Sequence, residues 1–330
     1  MSSGIVFEGP DAVGKNYLAL NIAKMLIELG ARVVMTNFPQ YFAFGGVIRQ
    51  MNRGAAKSIF EEINDPYEEL KHRAAMFALD RALALLPIIA ARNKFPGAVF
   101  ISDRGPDSNA VTAGFMFASN PDLSEGLLER FLSNEMPILD TEFRQYTDLT
   151  AILCLAQNSA EKSSSGVDYR KTLDQLEIPD AQSKAIEIYL RLLPENVIYT
   201  KIGGVWQSPE NLTAQVLQKV EINLQAGAVP PNEGEMILIG PVEMVGCILN
   251  FVPNKIVHLD KQWRKISLDT SDPDGQRKHT LDRIESEISN AIGKFLSDKT
   301  KLQSDIPDLV VKAVSRLLND YPNLLDIVRA

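Results

Sequence analysis

A short apolar strand, a glycine-rich turn and a helix follow one another near the N-terminal end, and this order constrains the fold more than any other feature. The turn fits the pattern G-x-x-x-x-G-K-[ST] at every defined position except the last, where Asn16 replaces a hydroxyl residue. The glycines let backbone N–H groups face an anion, the helix N-terminus adds a positive dipole end, and Lys15 supplies a cation. We therefore predict that a nucleotide phosphate binds at Gly9, Pro10, Asp11, Ala12, Val13, Gly14, Lys15 and Asn16.

Apolar runs and helical patterns alternate through residues 1–225, as they do in a parallel sheet wrapped by helices. The pattern predicts an α/β fold with a five-stranded parallel sheet. The predicted strands are Gly4–Glu8, Arg32–Thr36, Ala98–Ser102, Leu149–Leu155 and Val197–Lys201. The predicted helices are Lys15–Leu29, Gly46–Arg53, Pro66–Arg92, Asp107–Phe117, Ser124–Asn134, Asp180–Leu192 and Pro209–Leu224.

A segment rich in glycine, proline and alanine interrupts this pattern at residues 226–234, which we interpret as a linker. Short strand patterns follow it and helical patterns follow those, an order typical of an α+β domain. We therefore predict two domains, residues 1–225 and a small α+β domain at 235–330. No motif indicates what the second domain does.

The net charge of −8 makes a nucleic-acid polymer a poor partner, because tracking its backbone needs a surplus of lysine and arginine. Cys154 and Cys247 form no disulfide or zinc-ribbon pattern, which fits a reducing cytoplasm. No secretory signal or membrane span is visible. We expect a cytoplasmic protein that binds small phosphorylated molecules, and we expect a homodimer.

Several segments in consistent order resemble the thymidylate kinases, P-loop nucleoside-monophosphate kinases. The resemblance covers residues 4–220 and lies in the segments Phe7–Lys15, Phe38–Tyr41, Met76–Arg81, Ile101–Arg104 and Ser108–Ala110. It implies a P-loop kinase fold, ATP as co-substrate, Mg²⁺ and dTMP as acceptor. The C-terminal domain is extra to this pattern.

Three residues of the long predicted helix, Arg73, Phe77 and Arg81, have the spacing i, i+4, i+8 and can line one cleft. Periodicity alone equally allows Phe77 in the core and both arginines in solvent. The resemblance implies that Phe77 stacks on the thymine ring and Arg81 binds its carbonyl edge. It also implies that Asp11 meets the sugar 3′-hydroxyl.

Asp103 and Arg104 follow the third strand, at the edge where doubly wound folds bind ligands. Asp103 and Asn16 are the candidate Mg²⁺ ligands, and Arg104 is the candidate clamp for the phosphoryl group. Arg49, on the short helix after the Phe-Pro turn, is a candidate contact to the acceptor phosphate. The acceptor-binding residues predicted from these segments are Asp11, Phe38, Arg49, Arg73, Phe77, Arg81, Arg104 and Asn109.

Transfer also needs a lid that carries positive charge, and Ala12 supplies none from the loop. The polar, basic stretch 158–171 is the predicted lid, with Arg170 as the catalytic arginine and Lys171 or Lys162 as substitutes. The sequence departs from the family pattern where Gln40 replaces an arginine, Gly105 a tyrosine and Thr112 an aromatic. These departures weaken the identity of the acceptor more than the reaction class.

The leading hypothesis is phosphorylation of dTMP by Mg²⁺ and ATP, with Lys15, Asp103, Arg104 and Arg170 as catalytic residues. A deoxynucleoside kinase is the nearest alternative, and it would use Glu8 as general base. The third hypothesis is a nucleotide-binding sensor or scaffold with degenerate catalysis, which Asn16, Gln40 and Gly105 motivate. All three predict a cationic pocket within an acidic chain.

Overall fold

The computed structural model describes residues 4–39, 63–95, 97–135, 149–157, 178–220, 235–239 and 256–258. Its centre is one sheet with the strand order β6-β5-β4-β1-β3-β2-β7-β8. The strands are β1 Gly4–Glu8, β2 Arg32–Asn37, β3 Val99–Asp103, β4 Leu149–Ala156, β5 Val197–Ile202, β6 Val205–Trp206, β7 Glu235–Ile239 and β8 Ile256–His258. All described pairs are parallel except β5 with β6.

Six α-helices connect or follow the strands within the described ranges. They are α1 Lys15–Glu28, α2 Pro66–Lys94, α3 Asn109–Ser119, α4 Glu125–Arg130, α5 Pro179–Leu192 and α6 Pro209–Lys219. A 3₁₀ turn at Pro106–Ser108 precedes α3, and a π-helical turn at Phe131–Glu135 extends α4. The predicted helix Gly46–Arg53 lies outside the described residues.

The α/β fold class is confirmed, and the five predicted strands form the centre of the sheet. Six of the eight described strands lie within residues 1–225, where the sequence predicted five. One extra strand, β6, was missed because it has two residues. It folds back on β5 through Gly203 and Gly204, whose φ angles of 56° and 84° suit a tight hairpin turn.

The other two strands, β7 and β8, come from the region predicted as a separate domain. β7 pairs in parallel with β2, from Arg32 opposite Glu235 to Thr36 opposite Ile239. β8 pairs in parallel with β7. These two segments therefore continue the N-terminal sheet, while the division at 226–234 stays a prediction because the linker and most of residues 240–330 lie outside the described residues.

The sheet carries helices on both faces, and each face has its own apolar core. Ile5, Phe7 and Met35 pack beneath α1 and α6, together with Leu26 and Val216. On the opposite face, the strand residues Leu153 and Leu155 pack against α2, α3, α4 and α5. No helix of the described residues is long and apolar enough to cross a membrane.

Between the two cores, the carboxyl ends of β1 and β3 are adjacent in the sheet, with Phe7 opposite Asp103. The phosphate-binding turn follows β1, and the Asp103–Arg104 pair ends β3. The topology therefore brings the two strongest sequence motifs to one edge, as expected for ligand sites in open α/β sheets.

Candidate functional site

The phosphate loop has a backbone that only certain residues adopt easily. Gly9, Ala12 and Gly14 have φ angles of 132°, 60° and 81°. A Cβ atom at Gly9 would lie 2.2 Å from the carbonyl oxygen of Cys154 in β4, so no larger residue fits there. Ala12 adopts a left-handed conformation that is unfavourable for a residue with a Cβ atom. The loop is thus held in a strained, specific shape.

Trp206 of β6 closes one side of this loop, a contact that the sequence did not suggest. A Cβ atom at Gly14 would lie 3.0 Å from a Trp206 ring carbon, so glycine permits the close approach. Lys201 lies 5.3 Å from the centre of the same ring. The indole is 54% exposed, which leaves part of it open to solvent beside the loop.

Lys15 opens α1 and points back across the loop. Its Nζ donates a hydrogen bond to the carbonyl oxygen of Pro10, at 2.5 Å. Burial lowers the pKa of Lys15, as does the nearby Arg104 charge, whereas Asp11 and Asp103 oppose the shift. The first turn of α1 contains no acidic residue, so the helix N-terminus and Lys15 together favour an anion.

Arg104 reaches the same loop from the end of β3. Its backbone N–H donates to the carbonyl oxygen of Phe7 at 2.9 Å, and its Nη2 pairs with Oδ1 of Asp11. Burial disfavours the charged guanidinium, but Asp11, Tyr189, Asp103 and Glu8 together raise the pKa of Arg104 above its usual value. Arg104 is therefore a permanent cation within the site.

Asp103 offers an oxygen suited to a cation. Its Oδ1 is buried and has no hydrogen-bond partner among the described residues. Burial raises the pKa of Asp103, and Lys15 and Arg104 oppose that rise. A buried carboxylate oxygen without a donor fits Mg²⁺ or a water molecule bound to it. Asn16 is exposed on the first turn of α1, where its amide oxygen can also serve a hydrated ion.

Behind the loop, Glu8 forms the centre of a buried polar cluster. The side chain is 0% exposed, and its Oε2 accepts hydrogen bonds from Ser108 at 2.7 Å and Tyr189 at 3.3 Å. Burial raises the pKa of Glu8 to about 7, Asp107 adds to the rise, and the Ser108 hydrogen bond with the charges of Arg104 and Arg81 opposes it. Its Oε1 has no partner among the described residues.

The predicted acceptor residues of α2 lie at different depths. Arg73 is buried, with Nε and Nη2 each 2.6 Å from Oε1 of Glu69, and its guanidinium lies 5.6 Å from the Phe115 ring centre. Arg81 is 2% exposed and within electrostatic range of Glu8. Phe77 is partly buried. The two arginines are therefore not solvated surface residues, although their predicted roles toward a nucleotide stay predictions.

Four further predicted or divergent positions lie near the end of β3. Asn109 and Thr112 are buried in the first turn of α3, at 1% and 2% exposure. A Cβ atom at Gly105 would lie 2.8 Å from Cγ1 of Val6, so the absence of a side chain lets this segment approach β1 closely. Phe38 is buried and its N–H donates to the carbonyl oxygen of Asp103 at 2.9 Å.

Part of the predicted site lies outside the described residues. This holds for the acceptor contact Arg49 and for the lid residues Lys162, Arg170 and Lys171. It also holds for Gln40, the position that replaces an arginine. The roles of these residues stay predictions.

Besides Trp206, the structure adds two residues that motif reasoning missed, both on α5. Gln182 accepts a hydrogen bond from the backbone N–H of Asp11 at 3.0 Å, and Tyr189 donates to Glu8. Both are polar residues on the buried face of an amphipathic helix, beside Ala181 and Ala185. A polar residue in such a stripe was the only sequence signal, and it does not say which partner the residue meets.

No protein-family model matches this chain. A probable thymidylate kinase from Thermococcus onnurineus (strain NA1) is 29% identical over 216 residues, which make up 64% of this chain and 96% of that protein. The thymidylate kinase of Leptospira borgpetersenii serovar Hardjo-bovis (strain L550) is 28% identical over 220 residues, 65% of this chain and 91% of that protein. That of Leptospira interrogans serogroup Icterohaemorrhagiae serovar copenhageni (strain Fiocruz L1-130) is 28% identical over 205 residues, 59% of this chain and 83% of that protein. This chain is thus similar to nearly the whole length of proteins named as thymidylate kinases.

Proposed function

We propose that this chain is a nucleoside-monophosphate kinase of the thymidylate kinase type, which transfers the γ-phosphoryl group of ATP to dTMP and releases ADP and dTDP. The main observation in support is that the phosphate loop lies next to Asp103 and Arg104 at one edge of the sheet. The similarity to thymidylate kinases, at 29% identity over 216 residues and 28% over 220 residues, supports the reaction class.

The reaction needs no strong general base, because the acceptor phosphate is ionised near neutral pH. Catalysis of phosphoryl transfer is mostly positioning and charge stabilisation. In the proposed reaction Lys15 neutralises the β- and γ-phosphates of ATP, and Arg104 orients the phosphoryl group through its planar fork. Arg170 of the predicted lid would add a further cation.

Asp103 and Asn16 are the residues that would hold Mg²⁺, directly or through its waters. When bound, the ion would shield the negative charge of the ATP phosphates. Mg²⁺ usually keeps several waters and takes few protein ligands. A site with one buried carboxylate oxygen and one exposed amide is consistent with this coordination preference. Among the described residues there is no cluster of three acidic, cysteine or histidine side chains that could hold a metal ion.

The acceptor is proposed as dTMP on two grounds. The relatives are named as thymidylate kinases, and α2 places Arg73 and Arg81 in buried positions beside the partly buried Phe77. A guanidinium next to an aromatic ring suits a nucleobase joined to a phosphate.

The two alternatives are less favoured. A deoxynucleoside kinase would use Glu8 as a base, but that carboxylate is 0% exposed and is hydrogen-bonded to Ser108 and Tyr189. A sensor or scaffold without turnover has no relative in its favour, since the similar proteins are named as kinases. The homodimer and the absence of a nucleic-acid partner stay predictions.

The test is ADP formation from ATP and Mg²⁺ with a panel of nucleosides and nucleoside monophosphates. We expect turnover with dTMP well above the other acceptors. Lys15→Ala should reduce the rate about 100-fold or more, since a preorganised charge at the transferring group is removed. Lys24→Ala, which removes an exposed lysine from the same helix, is the matched control and should leave the rate unchanged. Preference for thymidine, or nucleotide binding without turnover at any Mg²⁺ concentration, would contradict the proposal.

A further inference from the structure

Gln182 is a buried polar residue whose hydrogen bond reaches the phosphate loop across the fold. Its side chain is 6% exposed, and its Oε1 accepts from the N–H of Asp11 at 3.0 Å, although the two residues are 171 positions apart. Because this N–H points at Gln182, it is not a donor left for a phosphate. The bond therefore serves the shape of the loop and not the ligand.

The loop needs such support at this position. Ala12 and Arg104 are the two non-glycine residues with positive φ in the described part of the chain, at 60° and 70°. Ala12 directly follows Asp11, and Arg104 is the residue that forms an ion pair with Asp11. Unfavourable backbone conformations persist only where surrounding contacts hold them. Gln182 provides one such contact at the residue that precedes Ala12.

Helix α5 is a rigid base for this contact. A Cβ atom at Gly114 of α3 would lie 2.6 Å from the carbonyl oxygen of Ala181 and 2.6 Å from the N of Ala185, so the two helix backbones are closely packed. Two turns after Gln182, the hydroxyl of Tyr189 donates to Glu8 at the end of β1. The same helix thus holds both ends of the turn from β1 into the loop.

We propose that Gln182 is a positioning residue for the acceptor: by accepting the Asp11 N–H it sets the direction of the Asp11 carboxylate and, through the ion pair, of the Arg104 guanidinium. This inference rests on the proposed function, together with the prediction that Asp11 and Arg104 contact the monophosphate. A glutamine suits the position, because its oxygen accepts the N–H without adding a negative charge beside Asp11. A leucine there would leave the N–H without an acceptor.

The test compares Gln182→Leu with Ser183→Leu, which places the same side chain at the next, exposed position of α5. Calorimetry gives the Kd for dTMP and for ADP, and initial rates give the two KM values. Loss of one buried hydrogen bond predicts a Kd and KM for dTMP about five- to tenfold higher in Gln182→Leu. Because the Asp11 N–H is bonded to Gln182 and is not a donor to phosphate, the values for ADP and ATP should change less than those for dTMP, and Ser183→Leu should match wild type.

A second measurement separates positioning from a general loss of packing. If Gln182 acts through Asp11, Gln182→Leu should change dTMP affinity less than twofold once Asp11→Asn is present, because the carboxylate being aimed is gone. Thermal unfolding checks that each variant is folded. If Gln182→Leu does not fold, the test uses Gln182→Met with Ser183→Met as its control, because methionine keeps a longer side chain.

The outcomes are distinct. Unchanged dTMP affinity in a folded variant, equal losses for dTMP and ADP, or full additivity with Asp11→Asn would each overturn the inference while leaving the proposed function standing. Failure of the wild-type protein to bind or phosphorylate dTMP would overturn the proposed function and this inference with it. A selective, non-additive loss supports the inference.

Discussion

The two faces of the sheet bury different kinds of side chain, although the same strands supply both. Beneath α1 and α6 the core is almost entirely apolar, with Phe7, Ile22 and Leu26 fully packed. Beneath α2, α3 and α5 the apolar cluster is joined by buried charges, including Glu8, Arg81 and Asp107. The first face is therefore an apolar packed core, whereas the second combines apolar packing with buried charged groups behind the candidate site.

The difference follows from where the ligands would lie. A buried charge is costly unless it is paired or hydrogen-bonded, and groups of buried charges cluster at functional sites. We infer that the first face supplies stability independent of nucleotide, whereas changes on the second face alter stability, ionisation and binding together. Three experiments test this contrast and a fourth tests the phosphate loop between the two faces' elements, in order of decreasing expected effect.

Leu26→Ala tests the first face. Leu26 is 1% exposed in α1, and removing its side chain should lower the free energy of unfolding by about 3 kcal/mol, since the transfer and cavity costs add. Urea unfolding measures the change. Leu29→Ala is the control, because Leu29 is 54% exposed and should cost less than about 0.5 kcal/mol. A change of KM beyond twofold in Leu26→Ala would break the contrast.

Glu8→Gln tests the second face through pH. Because the folded-state pKa is raised from 4.5 to about 7, the contribution of Glu8 to stability is fully present below about pH 4.5 and is lost as pH rises through 7. Relative to wild type, Glu8→Gln should therefore gain on the order of 3 kcal/mol between pH 4.5 and pH 8.

Urea unfolding of both proteins across this range measures that difference. Glu28→Gln, which removes an exposed carboxylate from the end of α1, is the control. A constant difference between Glu8→Gln and wild type across the range would mean that Glu8 ionises normally. The two faces would then differ in polarity but not in titration.

Gly114→Ala tests how closely the helices of the second face pack. The added Cβ atom would meet the backbone of Ala181 and Ala185 at 2.6 Å, so we expect a loss of about 2 kcal/mol despite the better helix propensity of alanine. In Gly126→Ala the Cβ atom would have only the Ser124 hydroxyl oxygen within 4 Å, at 3.8 Å, and should be neutral or stabilising by up to about 1 kcal/mol. Thermal unfolding compares the two, and equal effects would refute the close crossing.

Asn16→Thr should have the smallest effect, and it concerns the residue where the phosphate loop departs from the usual pattern. A hydroxyl should lower the half-saturating Mg²⁺ concentration for ADP formation by less than about tenfold, or about 1.4 kcal/mol. Asn21→Thr makes the same substitution further along α1 and should not alter the Mg²⁺ dependence. A loss of activity in Asn16→Thr would show that Asn16 is the better ligand here.

Local patterns predicted most of the central fold. Strands β1 to β5 and the described helices between them lie within a few residues of the predicted bounds, because apolar periodicity is a property of neighbouring residues. The phosphate loop was predictable for the same reason, since its glycines are needed within one turn. The hairpin strand β6 was missed because two residues carry no periodicity.

The site was predicted less completely, because its contacts join distant parts of the chain. The motifs identified Lys15, Asp103 and Arg104, and the topology brings them to one edge. Nothing in the motifs indicated that Trp206 would lie against Gly14 or that Gln182 would hold Asp11. Such contacts depend on how helices and hairpins cross the sheet.

By itself, then, the sequence determined the order of the described strands and helices and the phosphate loop, because each depends on residues a few positions apart. Tertiary structure alone decided three other features: that β7 extends the sheet beside β2, that Glu8 lies buried with a pKa of about 7, and that α5 supports the loop. Burial and long-range hydrogen bonds arise only when separate segments pack, so the physical environment of a side chain is not encoded in its neighbours along the chain.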